Sequence, residues 1–275
     1  MNKNILSNYS KLNFLLFVWP IVLLLKIAII LYSLDCLSVQ GYIQIQKDSF
    51  FFINFYLKQY PEILFNLTQF GDALICLSLL TLLILYAPKI WEALLTGSLI
   101  SFLFAVSIKA FFSIPRPAKA FDYTTFTIIG EKLTGSTSFP SGHSITVFTV
   151  LTILMFAFMP QNKNYKIPYF FAVVTLGLLF AFTRVAVGAH YPLDVVVGCL
   201  LGYISGLLGT FISRHYPLWP WIYNKKYYPI FIILFINCSI LLIVKIINEN
   251  LFIYYCALLS LFLSLYKITK VYVQK

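Results

Sequence analysis

Lys109 and Arg116, then Ser141, Gly142 and His143, then Arg184, His190 and Asp194 are the residues of this chain whose types and spacing could do chemistry together. All of them suit a phosphate. Arginine presents a planar fork of donors that matches phosphate oxygens, and lysine adds a compact positive charge. Ser141 can cap a helix starting at Gly142, where bare backbone and the first free N–H groups make an anion site. Asp194 lies two residues after Pro192, at the third position of a helix that begins at the proline, and from there its carboxylate can reach back. A carboxylate that holds one nitrogen of an imidazole fixes the tautomer and leaves the other lone pair free to attack. His190 is therefore the expected nucleophile and Asp194 its orienting group. His143 is the expected general acid, protonating the leaving oxygen and afterwards activating water on a phosphohistidine; an imidazole pKa of about 6.5 suits both tasks. The two histidines should flank phosphorus in line. No acidic cluster able to hold Mg²⁺ or Zn²⁺ accompanies them, so neither metal nor cofactor is expected and activity should survive excess chelator.

Taken singly, each group has a plainer use: a capped helix, a carboxylate complementing a helix dipole, a cation snorkelling to a lipid interface. The elements that must position them decide otherwise. The chain of 275 residues is 60% hydrophobic and 11% charged, with mean hydropathy +0.87, which is the composition of an integral membrane protein. A formal charge of +11 does not indicate nucleic acid, because Lys and Arg are scattered among Phe, Leu and Ile instead of lining a stripe. The five cysteines lack metal-ligand or disulfide-framework spacing and read as small packing residues. With about 20 apolar residues per crossing, spans are expected near residues 12–34, 72–87, 91–112, 143–160, 168–187, 193–213, 228–247 and 250–267. The first, preceded by Lys3 and Lys11, is longer than a signal-peptide core and reads as a retained span.

Lys109 and Arg116 end the third span, His143 opens the fourth, Arg184 ends the fifth, and His190 and Asp194 open the sixth. Antiparallel neighbours bring these boundaries to one membrane face. Eleven of the twenty Lys and Arg residues fall on the side of both termini, against eight on the other side, three of which belong to the constellation itself. The positive-inside bias then places both termini in the cytoplasm and the site on the extracytoplasmic face. Trp91, Trp219 and Trp221 would mark the cytoplasmic interface. Between the first two spans, Asp35 to Gly71 is polar and aromatic, and Phe50 to Leu57 reads as an interfacial helix, either a lid or a connection resting on the bilayer. Gly198, Gly202 and Gly206 form a small-residue face, expected to serve close packing within the bundle. Asn66-Leu67-Thr68 is a glycosylation sequon.

Lys109-x6-Arg116-Pro117, Pro140-Ser141-Gly142-His143 and Arg184-x5-His190-x3-Asp194 resemble the three-part signature of the type 2 phosphatidic acid phosphatase family, whose soluble relatives include vanadium haloperoxidases. The resemblance covers roughly residues 72 to 213. It implies a six-span helical core, metal-independent phosphatase chemistry, His190 as nucleophile, His143 as acid and Asp194 as orienter. It also implies phosphate contacts from Lys109, Arg116, Ser141, Gly142, His143 and Arg184. Thr183 stands where the family usually has Ser, and the last two spans exceed its core.

The expected fold is all-α, a polytopic membrane bundle with a six-span phosphatase core and two C-terminal spans, in one domain: residues 1–71 as first span and interfacial segment, 72–213 as catalytic core, 214–275 as extension. The expected activity is removal of phosphate from a membrane lipid at the outer face of a bacterial inner membrane. An isoprenyl diphosphate, a phosphatidylglycerol phosphate, phosphatidic acid and lipid A all fit as partners of the site. A lipid phosphotransferase using the same residues, or a transporter guiding an anion across, are the alternatives.

Overall fold

The computed structural model describes residues 1–274; Lys275, counted among the terminal charges, lies outside them. The described chain is all-α: α1 (Asn2–Ser10), α2 (Val18–Ser33), α3 (Val39–Leu57), α4 (Pro61–Thr68), α5 (Ala73–Leu79), α6 (Leu83–Tyr86), α7 (Pro88–Phe112), α8 (Pro117–Ala120), α9 (Gly142–Ala157), α10 (Lys163–Ala186), α11 (Pro192–His215), α12 (Tyr228–Glu249) and α13 (Phe252–Val273). Six helical stretches, containing α2, α7, α10, α11, α12 and α13, are long and apolar enough to cross a bilayer. The protein is an integral membrane protein, and side chains such as Trp19, Leu25, Phe111 and Ile247 lie exposed on its apolar belt.

Helix α11 forms the axis of the bundle, between α7 and α9. Its small-residue face permits this. A Cβ on Gly198 would lie 2.8 Å from the Ser141 carbonyl oxygen, and one on Gly206 would lie 2.8 Å from that of Thr149, while Gly202 meets the Ile145 carbonyl. On the other side Gly209 abuts Gly97 of α7. The glycines therefore serve packing inside the bundle, as expected, by bringing helix backbones together without intervening side chains.

The second span differs from the continuous helix expected over 72–87. It is broken into α5 and α6, and α4 with its following turn meets α5 at 81°. The opened backbone is satisfied from neighbouring helices, as a bilayer interior demands. Ser260 donates to the Leu79 carbonyl at 3.2 Å and Trp91 Nε1 to the Leu80 carbonyl at 3.2 Å. Thr81 turns its hydroxyl onto the Ser78 carbonyl and accepts from Ser264. Trp91 is thus buried and serves the span break. The broken span still joins the two ends of the bundle: Asp72 lies 3.3 Å from Lys245 near the end of α12, and Tyr86 accepts from Lys267 toward the end of α13. The last two helices pack on this span, with Asn66 accepting from the Ile253 N–H.

Two further boundaries move. Helix α10 starts at Lys163, capped by Asn162, so Pro168 lies inside it and not at its start. An extra helix, α1, precedes the first span and caps the end of α9: Asn8 donates to the Ala157 and Met159 carbonyls at 3.0 and 3.1 Å. Helix α1 and the end of α13 lie at the end of the bundle opposite His143 and His190.

Candidate active site

The expected site residues come together at one end of the bundle. Helix α7 stops at Phe112 because Ser113 adopts a left-handed conformation, φ 47°. The chain then folds back, and Arg116 is held by its N–H to the Gly135 carbonyl, 3.0 Å. Lys109, in the last turn of α7, extends over the start of α9: its Nζ lies 3.5 Å from where a Cβ on Gly142 would be. Ser141 caps α9, its hydroxyl taken by Ser144 at 2.9 Å. Its N–H donates to the Asp194 carbonyl at 3.0 Å, which fastens the start of α9 to the start of α11. That N–H is therefore engaged within the protein and not aimed at a ligand. His143 follows in the first turn, packed so closely on Gly71 that any side chain there would overlap its ring.

Arg184 ends α10, buried, with Nη1 on the Thr68 hydroxyl at 2.8 Å and Nε without a partner. Its carbonyl accepts from the N–H groups of Ala189 and His190 at 3.0 and 3.2 Å, and this turn delivers His190 beside Arg116. Arg116 Nη1 lies 3.3 Å from His190 Nε2. A guanidinium can only donate, so Nε2 is the accepting nitrogen and the ring proton sits on Nδ1. Nδ1 faces Asp194 Oδ2 at 3.5 Å, and this separation is too long for the firm grip expected from sequence. Asp194 does reach back from the third position of α11, but its backbone partner is the Tyr191 N–H at 3.0 Å. Burial, then the positive charges of Arg116, Arg184 and Lys109, hold the His190 imidazole well below its ordinary pKa, opposed by the Ser138 backbone.

Four residues that sequence reasoning missed complete the surroundings. Ser138 donates to Asp194 Oδ2 at 2.6 Å and Tyr42 to Oδ1 at 2.7 Å. Gln46 accepts from the Leu193 N–H at 2.7 Å, one of the orphan donors of α11. Thr68 is the acceptor for Arg184. Signals existed: Ser138 stands two residues before Pro140 in the same motif block, and Tyr42 and Gln46 are a polar pair at helical spacing. Thr68 belongs to the sequon, whose use as an acceptor the fold opposes, since Thr68 is buried and Asn66 pairs with the chain at Ile253. Thr183 turns its hydroxyl onto the Phe180 carbonyl, away from the site.

The segment 35–71 lies against these loops. Phe50 is fully buried against Phe121, Phe126 and Tyr191, and Asn54 donates to the Thr127 and Ala186 carbonyls, both at 2.8 Å. On the other side of the site a cleft of ≈ 320 Å³ runs from His143 between α5, α7 and α9, past Asp72, Leu77, Ser101, Phe102 and Thr146. Such a cleft can take the apolar part of a molecule whose charged end sits among the cations. Among the described residues no three His, Cys, Asp or Glu side chains are placed to share a metal ion.

Comparison with known proteins finds relatives for the stretch that carries these residues. The model of the PAP2 superfamily matches residues 90–219. The lipid A 1-phosphatase of Rhizobium etli is 32% identical over 168 residues, which are 53% of this chain and 68% of that protein. The undecaprenyl-diphosphatase BcrC of Bacillus subtilis is 33% identical over 119 residues, 40% of this chain and 55% of that one. The crystal structure of Aquifex aeolicus LpxE matches 62% of this chain and 96% of its own, with 26% identity and a TM-score of 0.49. The stretch matched by the family contains Lys109, Arg116, the Ser141 to His143 turn, Arg184, His190 and Asp194, and the chain belongs to the PAP2 superfamily.

Proposed function

We propose that this phosphate-ester hydrolase removes a terminal phosphate from a membrane lipid by way of a phosphohistidine on His190. The observation that carries the reading is His190 itself, buried, with its accepting nitrogen turned toward Arg116 and its protonated nitrogen toward Asp194, and with its pKa held well below 6.5 by burial and the surrounding cations. A phosphate seated there takes over the Arg116 N–H and frees the Nε2 lone pair. Arg184, with its unpartnered Nε, and Lys109 supply further positive charge. Neutralising the phosphate with fixed groups in a dry site costs no reorganisation during reaction.

Burial and the cations around it hold the His143 pKa well below 6.5 in the free protein, so His143 takes up its proton together with the substrate, whose negative charge offsets those cations. Nε2 attacks phosphorus, the P–O bond to the lipid breaks, and His143 gives that proton to the departing oxygen. His143 then takes a proton from water, whose oxygen attacks phosphorus and expels His190 with its bonding pair, releasing inorganic phosphate. The cleft beside His143 holds the remainder of the lipid on the leaving side. The distribution of Lys and Arg supports a site at the extracytoplasmic leaflet with both termini in the cytoplasm. Among substrates, lipid A carrying a 1-phosphate comes first, because the Rhizobium etli relative with that activity matches over 168 residues. Undecaprenyl diphosphate and phosphatidylglycerophosphate follow.

The test presents these lipid phosphates, in detergent with excess chelator and no acceptor alcohol, to wild type and His190→Ala. Release of inorganic phosphate by wild type, abolished in the variant, and an acid-labile phosphoenzyme in an His143→Ala background are the expected results. Undiminished release by His190→Ala would remove the reading. Phosphate release that requires an added lipid alcohol would make the protein a transferase.

A further inference from the structure

Helix α3 lies outside the stretch matched by the family and outside every motif of the sequence, yet it touches the catalytic machinery twice. Tyr42 Oη donates to Asp194 Oδ1 at 2.7 Å, and both residues are buried. One turn later Gln46 accepts from the Leu193 N–H and returns its own Nε2 to the Tyr42 carbonyl, which locks the side chain against the start of α11. The Tyr42 ring stands edge-on to Phe139, centroids 5.6 Å apart, so its hydroxyl has one direction to point. Burial and the neighbouring Asp194 carboxylate raise the Tyr42 pKa well above its ordinary value, which keeps the phenol a donor.

Resting on the hydrolase reading, we infer that Tyr42 is a positioning residue for the attack, fixing the Asp194 carboxylate so that it faces the imidazole of His190. The need for one follows from the distances. Asp194 lies 3.5 Å from His190 Nδ1, so its orienting effect depends on where the carboxylate is pinned rather than on a short bond. Three donors pin it. The Tyr191 N–H and Ser138 both hold Oδ2, the oxygen that faces His190, while Tyr42 alone holds Oδ1. Without Tyr42 the carboxylate can rotate about the Oδ2 anchor. When a positive imidazole develops as Nε2 bonds to phosphorus, its counter-charge is then misplaced. Helix α3 becomes part of the active site and not a lid above it.

Tyr42→Phe removes one oxygen and keeps the ring and its packing. Loss of a hydrogen bond to a charged group corresponds to about a 10-fold to 100-fold change. The expected result is a fall of kcat and of the single-turnover rate of phosphoenzyme formation by about that factor. KM and the inhibition constant of orthovanadate, which report the ring of cations, should stay within twofold of wild type, as should the amount of folded protein in detergent. In an Asp194→Asn background, followed over hours, Tyr42→Phe should have no further effect, because its target is gone. A kcat within twofold of wild type overturns the inference. So does a loss that persists undiminished in Asp194→Asn, or one matched by an equal weakening of vanadate, since both are what loosened packing produces. If Tyr42→Phe does not accumulate as folded protein, Gln46→Leu, which removes the amide that donates to the Tyr42 carbonyl, must lower kcat without moving the vanadate constant, and fails the inference if it does not. His190→Ala run alongside separates the two levels: activity surviving there defeats the hydrolase reading itself, whereas Tyr42→Phe at full rate with His190→Ala dead defeats only the role of α3.

Discussion

The two ends of the bundle both bury cations, and they treat them differently. At the end opposite His143 and His190, Lys89 pairs with Glu92 at 2.6 Å and donates to the Ser213 carbonyl, while Arg214 donates to the Tyr9 and Leu12 carbonyls. Those charges are settled within the protein. At the site end, Arg184 has a single hydroxyl for a partner and an idle Nε, and Arg116 rests on a backbone carbonyl and an imidazole. A buried cation satisfied by carboxylate and carbonyls holds helices together; one left short of acceptors is prepared for an anion from outside. Counting charges by side cannot see this distinction, since Lys89 enters the positive-inside tally although it is buried and paired.

The comparison can be broken by exchanging the fates of the two ends. The largest effect is expected at Arg184: Arg184→Met should lower kcat/KM by about 1,000-fold, as loss of a transition-state donor does. It should also abolish the rise in thermal stability that orthovanadate gives wild type, read as a melting shift in detergent. Stability without ligand should not fall. At the opposite end Glu92→Gln leaves Lys89 buried beside a neutral side chain. The expected cost is about 3 kcal/mol of stability, with KM for the lipid unchanged, measured by denaturation and steady-state kinetics.

A subtler test uses pH. His190 is held well below 6.5 by burial and three cations, so its neutral, nucleophilic form predominates at pH 6.5 and is lost only as pH falls through its lowered value. The acidic limb of kcat/KM attributable to this group should lie below pH 6.5. Lys109→Met removes one of the depressing charges and should move that limb toward higher pH, visible in a pH–rate profile. The smallest effect belongs to Thr68→Val, which deprives Arg184 of its acceptor and should change KM a few-fold through a less constrained guanidinium.

Much of this site is legible in the amino-acid sequence alone. The motif residues sit where apolar runs end, and alternation of antiparallel spans suffices to collect Lys109, Arg116, His143, Arg184, His190 and Asp194 at one face. What escapes has a physical reason in each case. Tyr42 is one of 19 tyrosines in a chain that is 18% aromatic, and its helical spacing from Gln46 marks a polar face without saying that the face meets a carboxylate 152 residues away. Thr68 looks like half of a sequon because hydropathy is blind to burial by tertiary contact. The break at Leu80–Leu82 is sustained by hydroxyls on α13 and an indole on α7 that donate bonds across the bundle, information that no local window contains. Conversely, the glycines of α11 are legible because backbone contact between helices leaves its trace at every fourth residue.

Those glycines have a further consequence. His143 stands in the first turn of α9 and His190 just ahead of α11, and the spacing of these helices is set by main chain against main chain at Gly198, Gly202 and Gly206, with the Ser141 N–H clasping the Asp194 carbonyl above them. The jaws of the reaction have a fixed gauge. Residue changes along the cleft between α5, α7 and α9 can reshape the space beside His143, while the gap between the two histidines keeps its width.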